Sequence, residues 1–452
     1  MINLDYTELT GEIITRESFN YEEERECWNR AINKYPKVII NCSNNADISN
    51  AIAWAKKNSL EIRIRSGRHH YEGYSTGDDV VVIDVNKINN IEIDEKASLV
   101  KIQGGVSNRE IYEALGKANY PFPGGGCPTV GVTGLVLGGG WGYSCRMLGL
   151  SADSLLQIEL IDYKGELIIA SENINEDLFW ACRGSGGGNF GVVTSMTFKL
   201  PAKQNIATLI DIDYANINLD QIKSIFDLWI ELFKNLDRRM NLKMAIYNSK
   251  INGKGVHITG VFYGSENEAS SILSKFKSVL PYRVFDLKCT SILEINRIIQ
   301  DSHPPYEKYK SSGRFVFNNY DSSMVKKIIK LVNERAEGSI YTAVSLYGLG
   351  GAVMDKDKED TAFFYRDAKF IMGFQSVWED DVHAKTNIDF VKNNISFIKS
   401  ITTGAYINFP CGELENYEEE YYGENYKELR KIKIKYDPSN VFNFPQGIKT
   451  IL

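Results

Sequence analysis

No Cys-x-x-Cys pair occurs among the seven cysteines, Cys27, Cys42, Cys127, Cys145, Cys182, Cys289 and Cys411. Dispersed thiols in odd number suit neither a disulfide framework nor a zinc site, so no metal is expected. The chain has net charge -6 and no basic cluster, hence no electrostatic footprint for nucleic acid or an anionic membrane. No uninterrupted apolar run reaches membrane-spanning length, and the opening MINLDYTELTGEIITRESF has no basic stretch leading into an apolar one. A cytoplasmic protein without a membrane partner is the expectation. A Gly-x-x-x-x-Gly-Lys-Ser/Thr sequence is also missing, which leaves ATP-type phosphoryl transfer without support. There is no internal repeat and no low-complexity tract.

What is present is an ordinary globular composition, 43% hydrophobic and 24% charged, over 452 residues. That length implies roughly two to four structural units and room for a large ligand between them. From residue 37 the pattern alternates between strand and helix: VIIN (38–41), ADISNAIAWAKKN (46–58), LEIRIRS (60–66) and DVVVIDV (79–85). IEIDEKASLVKIQGG (91–105) reads as a hairpin, and Ser107 with Glu110 has capping-box spacing at the head of a helix. LLQIELIDYKGELIIAS (155–171) reads as a strand pair, EDLFWACRG (176–184) as a short helix, and VVTSMTFKLP (192–201) as a strand that ends at Pro201. These predict an N-terminal unit, 1–203, of helices around one mixed sheet. Residues 204–404, with an amphipathic helix at 219–236, predict an antiparallel sheet backed by helices, and 405–452 a tail whose helix stops at Asp437-Pro438.

Three glycine-rich segments crowd the N-terminal unit. GGGCPTVGVTGLVLGGGWG (124–142) alternates glycine with Val130, Val132, Leu135, Val136, Leu137 and Trp141, which marks packed backbone rather than flexible linker. RIRSGRHHYEGYSTGD (63–78) follows a strand and gathers Arg65, Ser66, Gly67, Arg68, His69 and His70, small and basic residues that suit an anion such as pyrophosphate. RGSGGGNFGVV (183–193) contains a literal Gly-x-Gly-x-x-Gly at Gly186, Gly188 and Gly191. A helix precedes it and a strand follows, the reverse of the dinucleotide fingerprint, so a Rossmann site is excluded. The three segments together suggest an extended dinucleotide lying in a groove, with His69 and Cys127 as nucleophiles that could attach it.

With these residues the chain resembles the berberine-bridge-enzyme-type branch of the vanillyl-alcohol-oxidase flavoprotein superfamily. SGRHHYEG is similar to that family's Ser-Gly-Gly-His-x-Tyr-Glu-Gly, and CPTVGV to its cysteine segment. AYINFP (405–410), YYGENY (421–426) and DPSNVFNFPQGI (437–448) resemble its C-terminal signature. The resemblance implies an α+β fold of two domains, a PCMH-type FAD-binding fold and a middle substrate domain. It implies FAD bound covalently, through the flavin 8α methyl at His69 and through C6 at Cys127. Of the adjacent histidines, the spacing to Tyr71 and Gly73 selects His69. Further cofactor contacts are expected at Arg65, Ser66, Gly67, Arg68, Thr129, Gly131, Gly134, Gly138, Gly139, Gly140, Gly188, Asn189, Gly191, Val193 and Asn408.

The same resemblance points to Tyr406 as the base that takes a substrate hydroxyl proton as hydride leaves carbon, with Tyr71 and Trp141 also at the active site. Since free tyrosine has a pKa near 10, the base role asks for a neighbouring cation or hydrogen bond that the sequence does not name. Thr133-Gly134-Leu135 stands where relatives have Gly-Gly-His, Arg68 replaces a glycine, and Trp141 stands for a tyrosine or phenylalanine, so no relative's substrate transfers. The expected function is oxidation of an alcohol, sugar hemiacetal or secondary metabolite, with a small-molecule substrate and O2 or another electron acceptor as partners. The alternatives are a non-enzymatic flavin-binding redox protein, and an enzyme with flavin linked through His69 alone.

Overall fold

A computed structural model describes residues 4–450. The first strands are short and apolar, and they need cover on both faces. Glu12–Thr15, Val38–Asn41, Val81–Asp84 and Ile62–Arg65 lie in that order in a four-stranded sheet. Its last three strands are parallel, and helix Asn45–Lys57 buries Ile48, Ala51, Ile52 and Ala55 against them.

The hairpin expected at 91–105 forms from Ile91–Asp94 and Leu99–Gln103. It belongs to a second sheet, however, of five antiparallel strands with Val192–Lys199 at its centre and Leu155–Ile161 and Leu167–Ser171 beyond. The expectation of one mixed sheet is therefore corrected to two. Local patterning predicts strands but not partners, and the strands of the hairpin pair with Val192–Lys199 rather than with the parallel strands. Ser107 caps helix Asn108–Gly116 in the predicted capping box, receiving the Glu110 N–H while Glu110 takes the Ser107 N–H.

Strands between Ala207 and Trp378 build a seven-stranded, wholly antiparallel sheet. In Met240–Ser249, Leu242, Met244 and Ile246 face helices Leu219–Phe233, Ser322–Lys330 and Ala384–Ile401. Fully buried side chains of this kind contribute about 1.5–3 kcal/mol each. By the two-residue period, Asn241, Lys243, Ala245 and Tyr247 lie on the other face, beside Ser345 and Tyr347 of the next strand. That face is polar and aromatic, and it turns toward the N-terminal part: Asn241 Nδ2 donates to Gly142 O, and Trp141 Nε1 to Gly348 O at 2.8 Å.

The tail returns to the N-terminal part. The expected single helix is broken: Tyr417–Tyr422 ends at Gly423, where φ is +52°, and Tyr426–Tyr436 runs on to the predicted stop at Asp437. A Cβ on Gly423 would meet the Phe364 ring at 2.4 Å, so the break lets the tail pass that ring. The Asp437 carboxylate, fully buried, accepts from Lys433 Nζ and from the backbone N–H groups of Val441 and Phe442. Among the described residues no helix is long and apolar enough to cross a membrane.

Candidate active site

The strand Ile62–Arg65 runs parallel to Val81–Asp84 in a register that sets Arg65 opposite Asp84. Arg65 Nε donates to Asp84 Oδ2 at 2.5 Å with both side chains sealed from solvent. One residue past Gly67 the backbone enters the left-handed region at Arg68, φ +63°, and the Arg68 guanidinium turns back to Glu24 at 2.6 Å and Asp84 at 3.7 Å. The sequence suggested these arginines for a pyrophosphate. In the structure Arg65 pairs with Asp84 and Arg68 with Glu24, while Arg65 Nη1 and Nη2 are buried without a hydrogen-bond partner among the described residues.

His69 follows. Its ring stacks on Trp28, with centroids 5.1 Å apart, and its Nε2 lies 2.7 Å from Thr129 Oγ1 and 4.0 Å from Cys127 Sγ. Burial pushes the His69 pKa down to about 3, and the neighbouring His303 acts in the same direction. The imidazole is therefore neutral, which is the nucleophilic form. Burial pushes the Cys127 thiol up, while Thr129 opposes the shift. His70 faces elsewhere: its ring tilts on Tyr74 at 4.8 Å and its Nδ1 accepts from Glu72 N–H. Of the two adjacent histidines, His69 is the one beside the cysteine.

The glycine loops meet each other before they meet any ligand. A Cβ on Gly67 would sit 2.1 Å from Gly131 N and 2.6 Å from Thr129 O, so the two loops touch backbone to backbone. Ser66 Oγ and Thr133 Oγ1 both donate to Gly104 O, which ties in a further glycine that the sequence reading passed over. A Cβ on Gly138 would occupy the place of Asn408 Oδ1, at 2.0 Å. Gly139 and Gly140 hold positive φ, +99° and +88°, as the chain turns toward Trp141. Gly134 differs: nothing lies within 4 Å of where its Cβ would be. Gly188 packs near Phe444 and Gly191 against Ile161 O, and the Val193 carbonyl lies against Gly104. Asn189 holds the tail, its Oδ1 accepting from Ile448 N–H and its carbonyl from Lys433 Nζ.

Tyr406 is buried, and its phenol oxygen accepts from Trp141 N–H at 3.0 Å and Asn408 Nδ2 at 3.1 Å. Burial pushes its pKa up to about 12, against the pull of those donors and of Gly140 N–H. The partner missing from the sequence reading is thus a set of neutral donors, not a cation. Asn408 Nδ2 also reaches Leu135 O at 2.8 Å, joining the tail to the helix Val132–Leu137. Tyr71 stacks flat on Phe409, 5.3 Å between centroids, and meets Tyr309 edge-on. Trp141 meets Tyr347 edge-on at 4.9 Å.

Lys243 of the polar sheet face and two residues of the loop before its edge strand, His303 and Glu307, escaped the sequence reading. Lys243 Nζ lies 5.0 Å from the Tyr347 ring centroid. His303 donates its Nδ1 proton to Ile299 O, and its ring lies against Gly126, next to Cys127. Glu307 accepts from Arg30 N–H through its carbonyl and donates its N–H to Trp28 O, and burial pushes its carboxyl up. The one charged residue of MNLKMAIYNS, a lysine, was a readable signal. His303 and Glu307 sit in SHPPYEKYK, where nothing in the pattern marks them.

These residues suit a flavin dinucleotide. Two nucleophiles converge at one point, backbone at Gly134 borders open space, and Ser185 Oγ, within the third glycine segment, is buried without a partner. Residues 36–171 match the family model described as FAD binding domain, and 405–449 the model described as Berberine and berberine like. The chain is 33% identical to the uncharacterized FAD-linked oxidoreductase YvdP of Bacillus subtilis, over 98% of both chains. Among solved structures it is similar to berberine bridge enzyme from Eschscholzia californica, with a TM-score of 0.87, 22% identity and coverage of 97% and 96% of the two chains. It is similar also to carbohydrate oxidase from Microdochium nivale, with a TM-score of 0.88, 21% identity and 98% of each chain covered.

Proposed function

Because the chain belongs to the berberine-bridge-enzyme-like FAD-linked oxidoreductases, we propose that it oxidises an alcohol, a sugar hemiacetal or a secondary metabolite in the cleft beneath its seven-stranded sheet. In this reading residues 1–203 and the tail 405–452 hold the cofactor, and 204–404 roof the substrate. FAD, when bound, supplies a two-electron acceptor for hydride, and O2 or another acceptor then reoxidises it. Of all the observations, the convergence of a neutral His69 and Cys127 4.0 Å apart carries most of the proposal. His69 and Cys127 attach the flavin, and a tethered ring can serve an open cleft without dissociating.

Tyr406 takes the substrate hydroxyl proton. Trp141 N–H and Asn408 Nδ2 aim at its oxygen and favour the phenolate, which lowers the cost of using a buried phenol as base. Tyr71 and Trp141 form aromatic walls. The raised Cys127 thiol favours a second reading, attachment through His69 alone, since the bond to sulfur needs thiolate. Intact mass of the denatured protein with peptide mapping tests both readings. One FAD joining the peptides that carry His69 and Cys127 supports the double link, and FAD on the His69 peptide alone supports the single one. An unmodified mass refutes covalent attachment.

A further inference from the structure

The cations buried in this protein have partners. Lys310 meets Glu72 and Glu413, Arg314 meets Glu420, Arg366 meets Asp153, and Lys433 meets Asp437. Arg146 donates to three backbone carbonyls. Lys243, half-buried on the polar sheet face, makes no ion pair and no hydrogen bond among the described residues. The register puts it between Thr259 and Tyr347, and Tyr143 closes the Thr259 side through an O–H to O contact of 2.7 Å. The hydroxyl of Tyr347 likewise makes no hydrogen bond among the described residues, so neither it nor the ammonium is matched by a carboxylate or a carbonyl. Glu307, the nearby carboxylate, is not within ion-pair distance, and its backbone is tied to Trp28 and Arg30 on the His69 side. Burial disfavours the ammonium while the flanking Tyr347 and Tyr143 favour it; with no carboxylate paired to it, its charge is open to an anionic ligand group.

We propose that Lys243, with the Tyr347 hydroxyl, is the docking point for a carboxylate on the substrate, so that the preferred substrate class is an alcohol that also bears an acid group. This rests on the reading of the cleft as a substrate site. A single ammonium flanked by phenols suits a carboxylate, whereas phosphate sites typically gather several backbone N–H groups or an arginine fork. The surrounding Trp141, Tyr143 and Tyr347 rings suit an aromatic or otherwise flat body behind the acid.

The test is a calorimetric titration of the holoprotein with benzoate and with benzamide, which differ in charge but hardly in shape. Benzoate is expected to bind about ten-fold or more tightly than benzamide, as a charge-assisted hydrogen bond implies. Lys243→Met is expected to erase the difference and Lys243→Arg to keep most of it, with flavin content and far-ultraviolet circular dichroism unchanged. Benzoate binding no tighter than benzamide in the wild-type protein overturns the proposal, as does a preference that persists in a folded Lys243→Met. The wild-type comparison decides the matter even where a variant fails to fold. Since binding needs no turnover, a clear benzoate preference in a protein that oxidises nothing would refute the proposed oxidation and leave this subsite standing.

Discussion

Two glycines of the same loop system lead to opposite expectations on substitution by alanine. At Gly67 the added Cβ would lie 2.1 Å from Gly131 N, 2.6 Å from Thr129 O and 2.9 Å from Gly131 Cα, all backbone atoms. Ordinary contact begins near 3.5 Å, so the loops must part by roughly 1 Å or more. Thr129 would then leave His69, from which its Oγ1 is 2.7 Å away, and Cys127 would move with it. Overpacking of this kind costs about 1–3 kcal/mol. At Gly134, inside the short helix Val132–Leu137, the added Cβ meets nothing within 4 Å. Alanine there stabilises the flavin-free protein by about 0.5–1 kcal/mol through helix propensity. If the open space beside Gly134 is the cofactor groove, the same methyl group intrudes on the flavin dinucleotide. Gly67→Ala is therefore expected to lower both the thermal midpoint of flavin-free protein and the flavinylated fraction by intact mass. Gly134→Ala is expected to hold or raise the midpoint while lowering the flavinylated fraction. Full flavinylation of Gly134→Ala would refute the assignment of that space to the cofactor, and an undisturbed Gly67→Ala would refute the loop-to-loop role.

Tyr406→Phe should keep covalent flavin yet reduce kcat/KM by about 10²–10⁴-fold in substrate-driven bleaching of the flavin, the range for loss of a general base. With the Tyr406 pKa at about 12, the basic form grows with pH across the neutral range, so wild-type kcat/KM should climb toward ten-fold per pH unit, and a flat profile counts against Tyr406 as base. When flavin-free protein is given FAD, the His69 link should form at a pH-independent rate from pH 5 to 8, because the imidazole is already neutral with its pKa at about 3. The Cys127 link should quicken as pH rises, since burial holds its thiol above the ordinary range and thiolate is scarce; mass spectra over time separate the two. Lys433→Met leaves the Asp437 carboxylate buried without its cation, and denaturant unfolding should register a loss of about 3–5 kcal/mol.

Much of this architecture is local and could be read directly. The Ser107–Glu110 cap, the hairpin at 91–105 and the helix-then-strand context of Gly186–Gly191 each depend on a few consecutive residues, and the structure forms all three. What local pattern cannot carry is partnership. Ile91–Asp94, which alternates, and Val38–Asn41, which is continuously apolar, both read as strands, but long-range pairing assigns them to two sheets. The same limit hides the ion pair of Arg65: Asp84, nineteen residues on, arrives beside it only through the parallel register. His303 and Glu307 come from a distant loop that the fold lays against Trp28 and Cys127, with no periodicity to announce them.

The tail gives these parts a common reference. Tyr406 N–H donates to Gly313 O on the edge strand of the seven-stranded sheet, while its phenol oxygen is held by Trp141 N–H from the glycine-rich segment. Three residues on, Phe409 stacks on Tyr71, and Gly313 N–H donates to the Phe409 carbonyl. Just beyond, Gly412 N–H and Lys310 Nζ converge on Glu72, which follows Tyr71 in the chain, and Lys310 also reaches Glu413. Sheet, tail and the His69 loop are thus joined by several bonds, most of them at least half-buried, so that their loss leaves polar groups unsatisfied. Any widening of the cleft at this end would have to break several of them together. On the proposed reading substrate would enter from the Lys243–His257 side, where His257 Nε2 and Asp211 Oδ1 lie 2.7 Å apart and open to solvent, and Tyr406 would keep its position as it does.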